Sequence, residues 1–330
     1  MTRTLTIAFL LAAFSLFTGN AEALMTWHTL ESPNKDFKMV IYEGPLGGQI
    51  SFAVFYKGSL ITTVSQPVFE VADDDQLPAT ASFTLRHLLD GNEGPVPKPS
   101  RFKSDVTGGE TKSVRSVEGL ADYDEYIFKY RKRKEGQEAG TTYKPEDHDE
   151  LVRVVFRAYN DGIAYRYEIT TKEGETITLK NELTDFSFPN DYAVEGSAAS
   201  LSKIGGEYPS PLRMNIPDVP TLTFGEISHE GFAALRFKPG RQWGDNTFSN
   251  LYDSHGKIDR TGKVTAVAFN LDGDTEIQGT GALYRTPWRY MYIASPDSAG
   301  MIESLKKTPG GISFLILGGV QFMLDDKDGK

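Results

Sequence analysis

Phe156-Arg157-Ala158-Tyr159-Asn160-Asp161-Gly162-Ile163-Ala164-Tyr165-Arg166-Tyr167-Glu168 is the stretch from which the fold is read. Small or apolar residues alternate with aromatic and charged ones on both sides of Asn160-Asp161-Gly162, the period-two pattern of strands with two distinct faces. Asn, Asp and Gly tolerate the positive φ angles that a tight hairpin turn demands. The segment predicts an antiparallel hairpin, with strands over 150–159 and 163–170.

Outward from it the same alternation recurs at 38–42, 50–56 and 59–64, with Lys57-Gly58 as the turn between the last two. Further strands are predicted over 122–130, 175–180, 232–237, 264–270 and 290–294. The one helical candidate is short, 296–306, where Pro296 and Asp297 form a start signal. No alternation of strands with helices appears, so these residues do not contain a (β/α)₈ barrel. The fold class expected is all-β: a large antiparallel β-sandwich of two stacked sheets, forming one domain. Charged and Gly-rich stretches at 72–76, 91–104, 131–148, 205–220 and 239–261 are expected to be loops, the long ones functional rims or mobile segments.

The amino terminus reads as a signal peptide over residues 1–23. Met1-Thr2-Arg3 is a cationic head, 5–17 an apolar run and Ala21-Glu22-Ala23 a small-x-small exit. That run is shorter than the roughly 20 apolar residues that span a bilayer. A buried helix would show a polar face, and no charge falls between Arg3 and Glu22. Export to a bacterial periplasm or outer surface follows as an expectation. The absence of cysteine rules out thiol nucleophiles, zinc–thiolate sites and iron–sulfur clusters. A net charge of −10 disfavours nucleic acid and anionic membranes as partners, and is compatible with neutral sugars or cations. Aromatic residues at 12% with 32 glycines suit both a turn-rich β fold and carbohydrate binding, without separating the two.

Thr286-Pro287-Trp288-Arg289 sets a Trp–Arg pair where a strand should begin, because Pro287 biases Thr286 to extended geometry. Together with the hairpin, in this order and at this separation, it resembles the amino-terminal domain of glycoside hydrolase family 97, over roughly residues 27–304. The resemblance implies a galactose-mutarotase-like super-sandwich over 24–304, of the kind that precedes a catalytic barrel. It also implies an exported carbohydrate-binding or accessory domain for α-linked glycosides, partnered by a separately encoded barrel or by self-association. The alternatives are a fragment of an α-glucosidase or α-galactosidase, and a stand-alone sugar-modifying enzyme. No catalytic residue is assigned, since the family's acid and base stand in the barrel; Glu168, Glu207 and Glu226 are not chosen as catalysts.

Within the resemblance, Ile177-Thr178-Leu179-Lys180-Asn181-Glu182-Leu183-Thr184-Asp185-Phe186 matches the segment whose glutamate reaches across to a barrel-bound Ca²⁺. It implies Glu182 as a calcium ligand, and only with barrel partners, because Ca²⁺ requires six to eight hard oxygens. Trp288 and Arg289 could stack on a sugar and bond its hydroxyls, or Trp288 could pack between sheets while Arg289 caps a carboxylate. Trp243, in a polar loop beside Gly244, is a candidate sugar platform or a loop anchor. Glu207 stands on an extended Gly- and Pro-rich rim. Asp272-Gly273-Asp274 reads as turn chemistry, and neither it nor Asp73-Asp74-Asp75 has the spacing of a calcium loop. The basic run from Lys129 to Lys134 reads as a solvated strand end, and the five histidines show no metal spacing. The last segment, 305–330, is apolar and then acidic, and departs from the family.

Overall fold

A computed structural model describes residues 26–43, 50–65, 67, 69–72, 76–77, 106–136, 144–182, 184–196, 200, 208–227, 230–239, 265–271, 273–293, 300–308 and 311–313. The strands in chain order begin with a meander, β1 (Thr26–Glu31), β2 (Phe37–Glu43), β3 (Ile50–Tyr56) and β4 (Ser59–Ser65), followed by β5 (Phe69–Val71) and β6 (Gln76–Leu77). Next come β7 (Val106–Val114), β8 (Tyr123–Arg133), β9 (His148–Tyr159), β10 (Gly162–Thr170), β11 (Thr176–Glu182) and β12 (Asp185–Phe188). They are followed by β13 (Ala193–Val194), β14 (Tyr208–Pro209), β15 (Leu212–Asn215), β16 (Leu222–Ile227) and β17 (Leu235–Pro239). The set closes with β18 (Thr265–Leu271), β19 (Thr275–Gln278), β20 (Leu283–Arg285), β21 (Trp288–Ile293), the helix α1 (Gly300–Lys306) and β22 (Gly311–Ser313).

Among the described residues, the largest sheet has ten strands and runs β13-β15-β16-β21-β10-β9-β8-β7, with β20 on β10 and β22 on β20. Three four-stranded sheets, β1-β2-β3-β4, β19-β11-β5-β6 and β12-β18-β17-β14, supply the facing layer. β4 lies beside β12 and β11 beside β18, which makes the small sheets neighbours. One core joins the layers. Val152, Val154, Phe156, Ile163, Tyr165 and Tyr167 of the large sheet meet Phe37, Met39, Phe52, Phe69, Leu179, Phe186 and Phe237 of the small ones. The all-β two-layer sandwich read from the alternation is the fold observed.

Local geometry follows the sequence closely in places. Lys57 and Gly58 both have positive φ, 48° and 82°, which is what a two-residue hairpin turn between Tyr56 and Ser59 requires. β21 starts at Trp288, directly after Pro287. The hairpin β9–β10 forms, with Tyr159 opposite Gly162, so that β10 begins at Gly162 rather than Ile163. Its turn departs from expectation: none of Asn160, Asp161 and Gly162 is among the positive-φ residues. Gly162 is needed for closeness instead, because a Cβ there would stand 2.3 Å from the carbonyl oxygen of Met291 and 2.9 Å from Met301 Sδ. Neighbours hold the turn: Asn34 N donates to Asn160 Oδ1 at 2.9 Å, and Ile293 N to the Asp161 carbonyl at 2.9 Å.

Several loop boundaries also shift. The stretch 205–220 contains β14 and β15, whose Leu212 and Met214 are buried. β8 extends to Arg133 and β9 begins at His148, narrowing the expected 131–148 loop. The strand expected at 232–237 starts at Leu235, and a helix runs Gly300–Lys306, while Pro296 and Asp297 lie outside the described residues. Of the tail, Gly311–Ser313 pairs with β20. The signal-peptide residues 1–23 and the remainder of the tail from 314 lie outside the described residues. Among the described residues, no helix is long and apolar enough to cross a membrane.

Candidate functional site

Strand β21 carries a charged cluster on each of its faces. On the inner face Arg289 has 1% of its surface exposed and points into the sandwich. Its Nε donates to Glu182 Oε2 at 2.7 Å, with Nη2 also 2.7 Å from that oxygen, and its Nη1 donates to Glu226 Oε2 at 2.5 Å. Glu226 is opposite Arg289 in the β16–β21 register, while Glu182 ends β11 in the facing layer, so this triad ties the two layers together. Tyr165 Oη and Thr184 Oγ1 donate to Glu182 Oε1 at 3.1 and 3.0 Å. Glu226 Oε1 accepts the backbone N–H of Leu235 at 2.9 Å. Burial opposes the positive charge of Arg289, and Glu182 and Glu226 outweigh it, raising the guanidinium above its ordinary value.

Glu182 as placed here does not fit a calcium ion. Its side chain has no exposed surface, one oxygen faces a permanent cation and the other accepts two hydroxyls. Calcium requires oxygen ligands around it, and a guanidinium already stands where such an ion would have to sit. Among the described residues, no group of three His, Cys, Asp or Glu side chains is disposed to hold a metal.

On the outer face of β21, Trp288 is also fully buried, within a second apolar cluster formed with Val155, Tyr159, Ala164, Met301 and Leu305. Two guanidiniums lie over its ring, Arg157 at 4.5 Å and Arg166 at 4.3 Å, and Arg157 also covers Tyr123 at 4.3 Å. Such cation–π contacts strengthen when desolvated. The stack is closed by Thr308, just past α1. The Thr308 carbonyl accepts Trp288 Nε1 at 2.8 Å and Arg166 Nη1 at 3.0 Å, and Thr308 Oγ1 accepts Arg157 Nη1 at 3.3 Å. Burying Met301 and Leu305 contributes about 1.5–3 kcal/mol each to holding α1 on the sheet. With no solvent-facing surface, Trp288 is a packing residue between the sheet and α1, and Arg289 caps carboxylates.

The outer-face carboxylates are likewise engaged. Glu125 pairs with Arg157 at 2.7 Å, and Glu168 with Arg166 at 2.6 Å, Arg285 at 3.2 Å and Arg153 at 3.6 Å. Burial pushes the Glu168 carboxyl up, but Arg166, Arg285 and Arg153 outweigh it and hold it below the ordinary carboxylate range. The structure therefore brings Glu182, Arg289 and Trp288 onto or against one strand. Trp243 and Glu207 lie outside the described residues. Arg157, Arg166 and Thr308 were not singled out from the sequence; the signal for the two arginines was the charge alternation of the β9–β10 hairpin, and Thr308 had none.

Set against known proteins, the chain matches the family profile described as glycosyl-hydrolase 97 N-terminal over residues 30–305. A glycoside hydrolase family 97 enzyme from Pseudoalteromonas sp. strain K8, solved in complex with acarbose and, as a variant, with panose, is similar in structure. It shares 16% identity at a TM-score of 0.50, covering 81% of this chain and 35% of its own. A beta-arabinopyranosidase aligns at 13% identity and a TM-score of 0.46, over 81% of this chain and 40% of its own. The chain thus spans 35–40% of the length of these enzymes. No curated protein matches the sequence.

Proposed function

Since the chain belongs to the glycosyl-hydrolase 97 N-terminal family, we propose that it is an exported accessory domain that binds carbohydrate and does not hydrolyse it alone. The observation that carries this reading is the family match over residues 30–305. The site chemistry supports it. Glu125, Glu168, Glu182 and Glu226 are each committed to a guanidinium, which makes them counter-ions rather than an acid–base pair poised across a cleft. Acarbose and panose, the compounds bound by the solved relative, are the first ligands to try. The face that would meet a catalytic barrel, encoded with or apart from this chain, belongs to the same proposal.

The test is purified protein with acarbose or panose, read by thermal shift, and with an aryl α-glucoside and an aryl α-galactoside in Ca²⁺, read by release of the aryl group. The expected result is a ligand-dependent rise in melting temperature without turnover. Turnover by the chain alone would overturn the accessory reading.

A second reading, a portion of an α-glycosidase that needs the rest of the enzyme to act, is favoured by the 35% coverage of the Pseudoalteromonas enzyme. Adding a family 97 barrel in trans separates the two: restored hydrolysis without sugar binding by the sandwich alone supports this one.

A further inference from the structure

Beside the stack under α1, the outer face of the large sheet carries a row of charged side chains across four strands. In register, Lys129 of β8 stands opposite Arg153 of β9, Arg153 opposite Glu168 of β10, and Glu168 opposite Arg285 of β20. Glu168 is the buried member, with 5% of its side chain exposed and Oε1 accepting Nε and Nη2 of Arg166 at 3.1 and 2.6 Å. Arg153 and Arg285 reach it from its two sides, yet keep 32% and 26% of their side-chain surface open to solvent. Arg153 Nη1 is 3.6 Å from Glu168 Oε2 and Arg285 Nε is 3.2 Å from Oε1, ion pairs without the geometry of hydrogen bonds. Arg153 donates its Nε to Glu150. Among the described residues, the Nη groups of Arg153 and Arg285 have no hydrogen-bond acceptor.

The local charge is positive. Arg131 adds a further cation 3.9 Å from Glu150, so four guanidiniums, those of Arg131, Arg153, Arg166 and Arg285, face the two carboxylates of Glu150 and Glu168. The chain as a whole carries −10, but exposed charges beyond about 8 Å are largely screened at physiological salt, so the patch keeps its own sign. A guanidinium with free Nη groups is a planar fork, and the planar acceptor that matches it is a carboxylate. A neutral diol would leave the excess charge uncompensated. Nucleic acid, a long polyanion, would run from this patch onto the acidic remainder of the surface.

We propose that Arg153 and Arg285, set in place by the buried Glu168, form a binding site for the carboxylate of an acidic sugar, a uronate. Each guanidinium donates Nη–H groups to the ligand carboxylate from the solvent side, while Glu168 beneath holds the two forks in position. This rests on the carbohydrate-binding reading above and names a site and a ligand class for it.

The experiment titrates sodium glucuronate, methyl α-glucopyranoside and sodium acetate into the full chain and into Arg153→Gln and Arg285→Gln, by calorimetry. The expected result is that glucuronate binds more tightly than acetate, and that each variant weakens glucuronate about tenfold, the loss of one charge-assisted contact. Added NaCl should weaken glucuronate and leave methyl α-glucopyranoside unchanged. Both variants should stay folded, since Glu168 retains Arg166 and one of the two half-exposed arginines; should one fail to fold, the other and the salt series decide. Unchanged glucuronate affinity in the folded variants would overturn the site while leaving the carbohydrate reading intact. Binding of methyl α-glucopyranoside without glucuronate would do the same. Acetate bound as tightly as glucuronate would mark a general anion patch and also overturn the proposal. Absence of any sugar binding by the unaltered chain would overturn both.

Discussion

Arg289 and Glu182 lie 107 residues apart in sequence, and the guanidinium Nε donates to the carboxylate Oε2 across 2.7 Å inside the sandwich. The pair joins β21 of the ten-stranded sheet to β11 of the facing layer, where Glu226, Tyr165 and Thr184 complete its hydrogen bonding. Two charges taken from water gain little net stability, but removing one partner strands the other in the interior.

Arg289→Met should therefore lower stability by about 3–5 kcal/mol, because it leaves Glu182 and Glu226 buried without their cation. The double variant Glu182→Gln with Arg289→Met should recover a large part of that loss. Urea unfolding of the single and double variants, taken as a mutant cycle, measures the coupling.

Glu168 gives a pH dependence whose sign follows from its surroundings. Its carboxyl is more acidic in the folded chain, held there by Arg166, Arg285 and Arg153 against burial. Such a group contributes stability above its unfolded pKa, about 4.3, and the contribution is lost as pH falls through the lower folded value. Glu168→Gln should cost about 3–5 kcal/mol near neutral pH, as a buried pair losing one member. The deficit should shrink steadily in unfolding experiments taken below about pH 4.

Two glycines should respond differently to alanine. Gly162 has ordinary φ but no room, with Met291's carbonyl oxygen 2.3 Å from the added methyl, so Gly162→Ala should cost about 1–3 kcal/mol or more by overpacking. Gly58 has φ of 82° with nothing within 4 Å, so Gly58→Ala should cost only the left-handed strain, about 1–2 kcal/mol. Chemical denaturation of both, together with hydrogen exchange at the 159–162 turn, distinguishes crowding from backbone strain.

Trp288→Phe removes the indole N–H from the Thr308 carbonyl and reduces the aromatic surface that Arg157 and Arg166 cover. The loss should be about 1–3 kcal/mol, from one hydrogen bond and weakened cation–π contact. Amide exchange should accelerate first in α1 and Thr308, since the stack and the Met301–Leu305 face hold that segment on the sheet. Equal acceleration throughout the large sheet would contradict this assignment.

The strands that were legible in the sequence are those whose alternation reflects burial on one or both faces, such as 50–56, 59–64 and the β9–β10 hairpin. β7 was not, because its Thr-Gly-Gly-Glu-Thr-Lys-Ser run at the sheet edge carries almost no apolar signal. In the 205–220 segment, Leu212 and Met214 alternate over too few residues to stand out among prolines and polar side chains. Gly162 was recognised as essential to the turn for the wrong physical reason: composition indicates turn chemistry, whereas only tertiary contact reveals a methyl-sized gap against Met291. The pairing of Glu182 with Arg289 was equally hidden, since a link between strands this far apart leaves no local pattern. Trp288 and Arg289 stood out together, but the strand's two faces send them to opposite sides, one to the stack under α1 and the other to the core.

The central claim, a sandwich domain that binds sugar without cleaving it, is tested most directly by calorimetric titration of panose into the purified chain, with an aryl α-glucoside assay on the same preparation. The account predicts saturable heat of binding and no aryl release. Aryl release by the chain alone, or no heat at any panose concentration, would contradict it.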